Sequence, residues 1–457
     1  MTQTHTARPE QEARRRRTVL WVVSLATVGL IFDGYDLVVY GTVVSTFLRD
    51  PSQIGEVTPA LAGALGSYAL VGVLVGALLA GSVGDVIGRR KVMLFAYAWF
   101  SVGMGVTAMM SSANAFGLMR FVTGLGVGAL VATTGAIVSE FAPPGKKNLC
   151  NAITYCGVPM GSLLAALLAI LLLGAIGWRG MFWIGALPLV TLLPLAFLKM
   201  PESPAWLLAR GRIDEARALS ERTGVPLADA PPAAPAPGQK KERIGFAGLF
   251  SSEYIWATIL LGLMSATGLV LVYSLNTWLP ELMLRAGYNA KGSLSFLLVL
   301  NGGSVIGALI GSRVADRLGP KPVVAGCFLL GAIAIMLLTV SLPLALLLLF
   351  VAIAGLGTSG TQTLIYGFVA NYYRTNVRGA GVAWCAGFGR LGGVGGPVIG
   401  GLLIGAGLST NAIFWVLAGL GVLGVLLTLL VPAAHRALRS TPIEPTQAVA
   451  PAVETAR

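Results

Sequence analysis

The sequence predicts an all-α polytopic membrane protein, with twelve transmembrane helices in two pseudo-symmetric six-helix bundles. Three observations carry that expectation. Of the 457 residues, 55% are hydrophobic and only 11% are charged, and the mean hydropathy is +0.79; a soluble domain carries about 25% charged residues. Apolar runs of about twenty residues, the length that crosses a hydrocarbon core of about 30 Å, recur along the whole chain. Finally, a loop motif near residue 85 returns near residue 316, which divides the chain into two halves.

The elements follow in order. Residues 1–17 (MTQTHTARPEQEARRRR) are polar and basic. The apolar run after them is too long for a signal-peptide core and closes on no A-x-A site, so they read as a retained tail. Six spans are expected at roughly 18–48, 60–83, 92–112, 115–140, 150–174 and 178–199, forming a first bundle over 18–199. Residues 200–253 are charged and then rich in Pro and Ala (ADAPPAAPAPGQKKER). That composition cannot bury a core, so a connecting loop with a disordered middle is expected. A second bundle over 254–432 holds spans at roughly 254–279, 292–313, 321–341, 343–370, 378–404 and 411–432, and a tail closes the chain at 433–457.

Charge orients these spans. If the N-terminus is cytoplasmic, 26 of the 32 Lys and Arg residues fall on the cytoplasmic side. Four lie outside (Arg49, Arg179, Arg285 and Lys291), and Arg120 and Arg390 lie within spans. This is the positive-inside pattern, with both termini in the cytoplasm of a multi-pass protein of the cell membrane. The net charge of +13 therefore reflects topology, and nucleic-acid binding is not expected. The four cysteines show no metal-ligand spacing, and both histidines, His5 and His435, lie in the tails. No GxxxxGK[ST] loop and no nucleophile–base constellation is present, so neither a cofactor nor an enzyme is expected.

The repeat consists of GSVGDVIGRRK (81–91) and SRVADRLGPKP (312–322), in which Asp85 and Gly88 align with Asp316 and Gly319. Parallel halves of this kind suggest a transporter with a central site between them. The first copy, with RFVTGLGVGA (120–129) and PESPAWLLARGR (201–212), resembles the major facilitator superfamily over about residues 18–432. Ala205 stands where the last motif usually has arginine. DGYDLVVYG (33–41), WLPELMLRAG (278–287) and VRGAGVAWCAGFGRLGGVGGP (377–397) resemble the aromatic acid:proton symporters, the first being most like the benzoate transporters. The resemblance implies the major facilitator fold, alternating access, and uptake of a benzoate-like or hydroxybenzoate-like anion with protons.

Candidate site residues follow from charge inside the membrane. A buried charge there costs about 2.5–3.5 kcal/mol or more and marks function. Asp33 and Asp36, at i and i+3, share one face of the first span. The rise along the helices puts them at the depth of Arg120 in the fourth span, so an Asp–Arg contact is expected. One or both aspartates would bind the coupled proton, with Arg120 tuning them, because burial favours a neutral carboxyl and a nearby cation favours the charged one. The rival for these residues is a static pair that fixes packing. Glu140, near the end of the fourth span, is a further candidate for coupling by pairing with a loop cation, or else a solvated acid. Arg390 lies near mid-membrane in the eleventh span and suits a bidentate contact with a substrate carboxylate; a packing arginine is the alternative. Tyr35, Tyr40, Tyr273, Asn276, Asn301, Gln362, Tyr366 and Trp384 could hold the ring, or serve as interfacial anchors and packing groups. Asp85, Gly88, Arg89, Arg90, Asp316 and Arg317 are assigned to gating on the cytoplasmic side. Small residues in GVPMG (157–161) and GGVGGPVIGG (392–401) are assigned to helix packing.

The expected function is secondary active, proton-coupled import of an aromatic carboxylate by a monomer in a lipid bilayer. The alternatives are another organic-anion or sugar symporter, prompted by PESPAWLL, or a drug:proton antiporter, prompted by GGVGGPVIGG.

Overall fold

The computed structural model describes residues 9–143, 146–225 and 246–432. The first eight residues, the Pro/Ala stretch and the C-terminal tail lie outside the described residues, as does the side chain of Asp85. All described secondary structure is helical. In chain order the α-helices are α1 (Pro9–Arg49), α2 (Pro59–Ile87), α3 (Arg89–Met109), α4 (Ala113–Phe141), α5 (Lys147–Tyr155), α6 (Gly157–Ala186) and α7 (Leu192–Lys199). The connecting loop carries α8 (Pro204–Ala209), α9 (Ile213–Thr223) and α10 (Phe246–Leu249). The second half holds α11 (Ile255–Arg285), α12 (Ala290–Leu318), α13 (Pro320–Leu337), α14 (Leu344–Gly355), α15 (Thr361–Tyr372), α16 (Thr375–Gly405) and α17 (Thr410–Leu430).

Eleven stretches are long and apolar enough to cross a membrane, and one of them, Leu149–Lys199, is 51 residues long. Gly177, inside α6, has φ 64° and ψ −178°, which breaks the helix and turns this stretch into two crossings. Twelve spans result. The tenth is α14 and α15 joined through a π-helical turn at Leu356–Gly360. The first helix begins at Pro9, so residues 9–17, expected as tail, extend the first span beyond the bilayer. Their four consecutive arginines do not interrupt it because Arg is a good helix former.

Four helices that start on the face opposite the N-terminus, α2, α4, α12 and α17, are capped by short polar side chains. Thr58, Ser112, Asn289 and Ser409 accept from the backbone N–H groups of Leu61, Ala115, Gly292 and Ala412. On the N-terminal face, which carries most of the basic residues and is called the basic face below, the two copies of the repeat make matching turns. Gly88 (φ 102°) joins α2 to α3, and Gly319 (φ 89°) joins α12 to α13; a side chain is strained at either. After each turn a cation ties down the end of its bundle's last helix. Arg90 donates to Phe197 O (2.6 Å) and Lys321 to Val431 O (2.6 Å).

Packing repeats as well. In the first half α1 lies on α6 and α2 on α4; in the second α11 lies on α16 and α12 on α14. The halves meet through α1 with α11, α2 with α16, and α6 with α12. At the α1–α6 crossing Gly34 and Gly161 bring the backbones together. A Cβ at Gly161 would overlap the Ile31 carbonyl, and one at Gly34 the Val158 carbonyl. Backbone cannot turn aside as a side chain can. Gly161→Ala is therefore expected to destabilise the protein by about 1–3 kcal/mol, read as a lower melting temperature in detergent; an unchanged melting temperature would contradict this packing.

Candidate functional site

The two aspartates have different partners. Asp36 is fully buried and forms an ion pair with Arg120, itself 1% exposed. Arg120 also donates to Asp36 O (3.3 Å) and lies under the rings of Tyr40 and Phe182, 5.8 and 5.7 Å from their centroids. Phe116 and Trp178 pack against Phe182 and extend this aromatic wall. The pair thus sits inside the first bundle, holding α1 to α4.

Asp33, one helical turn nearer the basic face, is 4% exposed and makes no hydrogen bond or ion pair with any described residue. Arg390 of the second bundle and Asp36 both lie within its electrostatic reach. Arg390 stands fifteen residues from each end of α16, is half-buried, and likewise has no hydrogen bond among the described residues. Tyr155, Tyr273 and Tyr366 also lie within its electrostatic reach. These five side chains come from α1, α5, α11, α15 and α16, so both bundles build the site. Its contents are one anion, one cation and three phenol rings.

The other predicted residues divide by place. Tyr35 and Tyr40 donate to Met181 O (2.7 Å) and Ala62 O (2.6 Å), so their hydroxyls serve packing within the first bundle rather than the central site. Asn301 donates to Asn276 Oδ1 (3.0 Å), a buried amide pair joining α12 to α11. Gln362 donates to Ser265 Oγ (2.9 Å), and Ser265 in turn to Cys385 O (2.8 Å). Trp384 donates to Thr258 O (2.9 Å) and stacks on Phe388, wedged between α11 and α16.

Glu140 forms an ion pair with Arg89 near the basic face, away from Asp33. Arg90 N–H donates to Glu202 Oε1 (3.0 Å), so PESPAWLL and the first repeat motif pack on each other within one bundle. Asp316 and Arg317 are exposed and make no ion pair among the described residues. The first motif copy is thus paired and the second is not.

Two features were not foreseen from the sequence. Tyr155 closes α5, donates to Val131 O (3.3 Å) and lies within electrostatic reach of Arg390; its signal was the repeat, because the fifth span is the counterpart of the eleventh, which carries Arg390. The second feature lies on the opposite face. Arg49, at the end of α1, donates twice to Glu281 of α11 (2.7 and 3.1 Å), and Arg285 donates to the same carboxylate (2.8 Å). Glu281 is 1% exposed. Ser67 of α2 donates to Val394 O of α16 (2.6 Å) in the same half of the membrane. Among the described residues, every hydrogen bond and ion pair between the bundles lies in this half.

Two repeat-related bundles, joined at one face and sharing a charged site at mid-membrane, define a secondary transporter. The family described as "Sugar (and other) transporter" matches residues 22–291, and "Major Facilitator Superfamily" matches residues 292–455. The chain is 33% identical to the benzoate transport protein of Acinetobacter baylyi over 433 residues, covering 93% of this chain and 91% of that one. It is 34% identical to the gentisate transporter of Corynebacterium glutamicum over 391 residues, covering 84% and 81%. The crystal structure of a D-xylose-proton symporter shares the fold, with a TM-score of 0.70 at 17% identity over 91% of this chain and 98% of that one. The chain belongs to the major facilitator superfamily, in its family of aromatic acid transporters.

Proposed function

We propose that the protein imports an aromatic carboxylate, benzoate or a hydroxybenzoate, together with protons across the cell membrane, with its basic face in the cytoplasm. The observation that carries this is the Asp33–Arg390 site. The two charges come from opposite bundles within electrostatic reach of each other, and neither is hydrogen-bonded among the described residues. Arg390 is free to make two parallel hydrogen bonds to a substrate carboxylate. The rings of Tyr155, Tyr273 and Tyr366 offer π faces and edges to an aromatic ring, and the hydroxyls of Tyr273 and Tyr366 offer partners to ring substituents.

Charge balance supplies the coupling. The empty site holds one negative and one positive group. A substrate carboxylate adds a second negative charge, and a net charge at mid-membrane is expensive. Protonation of Asp33 restores neutrality, and the neutral site then permits the bundles to rock. The Arg49–Glu281–Arg285 cluster joins the bundles opposite the basic face and would hold the outer side closed at the inward-facing end of the cycle. The relatives named as benzoate and gentisate transporters support the substrate class.

The test is uptake of radiolabelled benzoate into proteoliposomes under an inward proton gradient, with unlabelled 4-hydroxybenzoate, gentisate and glucose as competitors. Gradient-driven accumulation blocked by the aromatic acids and not by glucose is expected. Competition by glucose, or no gradient-stimulated uptake by folded protein, would contradict the proposal.

The outer cluster gives a separate expectation. Glu281→Gln leaves Arg49 and Arg285 without their counter-charge and weakens the closed outer side. Spin labels at Ser52 and Lys291, both exposed on that face, should then report a new, longer distance. An unchanged distance distribution would remove the cluster from gating.

A further inference from the structure

A second site lies at the basic face, outside the transport path. A cavity of about 820 Å³ opens between α1, the start of α3, the end of α7, and helices α8 and α9 of the connecting loop. Six cations converge on it: Arg17, Arg90, Lys91, Lys199, Arg212 and Arg222. Two acids share the lining. Glu215 is committed to Arg212, and Glu202 accepts from the backbone N–H groups of Arg90 and Ser203. Arg17, Lys91, Lys199 and Arg222 have no ion-pair partner among the described residues. A general excess of positive charge on this face would not bring cations from four chain segments into one concavity. The loop helix α9 is held there by contacts to α1: Thr18 donates to Thr223 O (3.2 Å), and the C-cap Gly224 (φ 70°) lies against the backbone of Gln11 and Arg15.

The walls are amphipathic. Lys199 lies over the ring of Trp21 (5.8 Å), a residue type that sits at the level of lipid head groups. Leu198 in the lining is 74% exposed. An adjoining cavity of about 740 Å³ shares Arg17 and Trp21, adds Arg16 and the exposed Leu20, and runs along α1 toward Glu12. A soluble anion would use the cations alone; a lipid would use the cations for its phosphate and the leucines for its acyl chains.

We propose that this cavity is a binding site for the head group of an anionic phospholipid, completed by the connecting loop. The cations are spaced around a volume suited to a phosphodiester, and Trp21 and the exposed Leu198 in its wall lie where the acyl chains of a lipid would start. A lipid bound there bridges α1, the first repeat motif and α9, and so ties the loop to the first bundle in a way that depends on leaflet composition.

The experiment is native mass spectrometry of the full chain in detergent, titrated with phosphatidylglycerol and, separately, phosphatidylcholine. The double variant Arg17→Ala, Arg222→Ala is compared with Lys291→Ala, which removes a cation from the opposite face. Each cation near an anionic surface is worth about 1 kcal/mol, so the double variant should bind phosphatidylglycerol roughly 30-fold more weakly. Lys291→Ala should bind as the unaltered protein does. Inorganic phosphate and glycerol phosphate, at the same concentrations as the lipid, should not displace it. Equal binding of the two lipids, or unchanged phosphatidylglycerol affinity in the double variant, would overturn the site. Displacement by either soluble phosphate would overturn the lipid assignment in favour of a soluble anion. Benzoate uptake is not the readout, so failure here leaves the transport proposal untouched.

Discussion

Asp33→Asn is expected to abolish proton-driven accumulation while leaving exchange of labelled for unlabelled benzoate intact. The amide keeps the shape of the carboxyl but cannot gain or lose the proton. The empty site then carries only the Arg390 charge, and the substrate carboxylate neutralises it without a proton. In wild-type proteoliposomes, one proton per substrate anion would give about tenfold accumulation for each pH unit of gradient, since a tenfold ratio corresponds to about 1.4 kcal/mol. In the variant the ratio should fall to one. Retained exchange separates lost coupling from lost folding. A variant that still accumulates benzoate would move the proton to another group, and Asp36 would be the next to test.

Arg120→Leu is expected to cost about 3–5 kcal/mol of stability, because it strands the fully buried Asp36 carboxylate without its counter-charge. The loss should appear as a large drop in melting temperature in detergent. The double variant Asp36→Asn, Arg120→Leu should recover part of it, since no charge is then left unpaired. A double variant as unstable as the sum of its parts would show that the aromatic wall over Arg120, rather than the ion pair, carries the stability. Asp36 is thereby set apart from Asp33: Asp36 pairs with Arg120 inside the first bundle, and Asp33 has no ion-pair partner among the described residues.

Much of the fold was legible because membrane helices announce themselves. Apolar length fixes the spans, and the repeated Asp-x-x-Gly turn fixes the two halves. The break between the fifth and sixth spans was also legible: spans expected at 150–174 and 178–199 leave it at 175–177, and the helix breaks at Gly177. The helical extension over residues 9–17 was missed because a run of arginines reads as tail by composition, although each residue favours helix.

The site was legible in part, and the reason is physical. Charged residues inside spans stand out, so Asp33, Asp36, Arg120 and Arg390 could all be singled out. Spacing along α1 put the two aspartates on one face, but it could not say which of them meets α4 and which faces the second bundle. That choice depends on rotation and crossing angle, which the Gly34–Gly161 contact fixes. Tyrosines carry no such signal. Tyr35 and Tyr40 have the same composition cues as Tyr273 and Tyr366, yet the first two spend their hydroxyls on carbonyls of their own bundle, as Tyr155 does on Val131 O. Glu281 was overlooked because it reads as an acid near a helix end; only its tertiary position beside Arg49 gives it a role.

The central claim is that substrate carboxylate and proton meet at Asp33 and Arg390. Isothermal titration of benzoate into the purified protein, repeated in buffers of different ionisation enthalpy, counts the protons taken up on binding. The account predicts close to one proton per benzoate for the wild-type protein and none for Asp33→Asn. Benzoate binding without proton uptake in the wild type, or equal uptake in the two proteins, would contradict it.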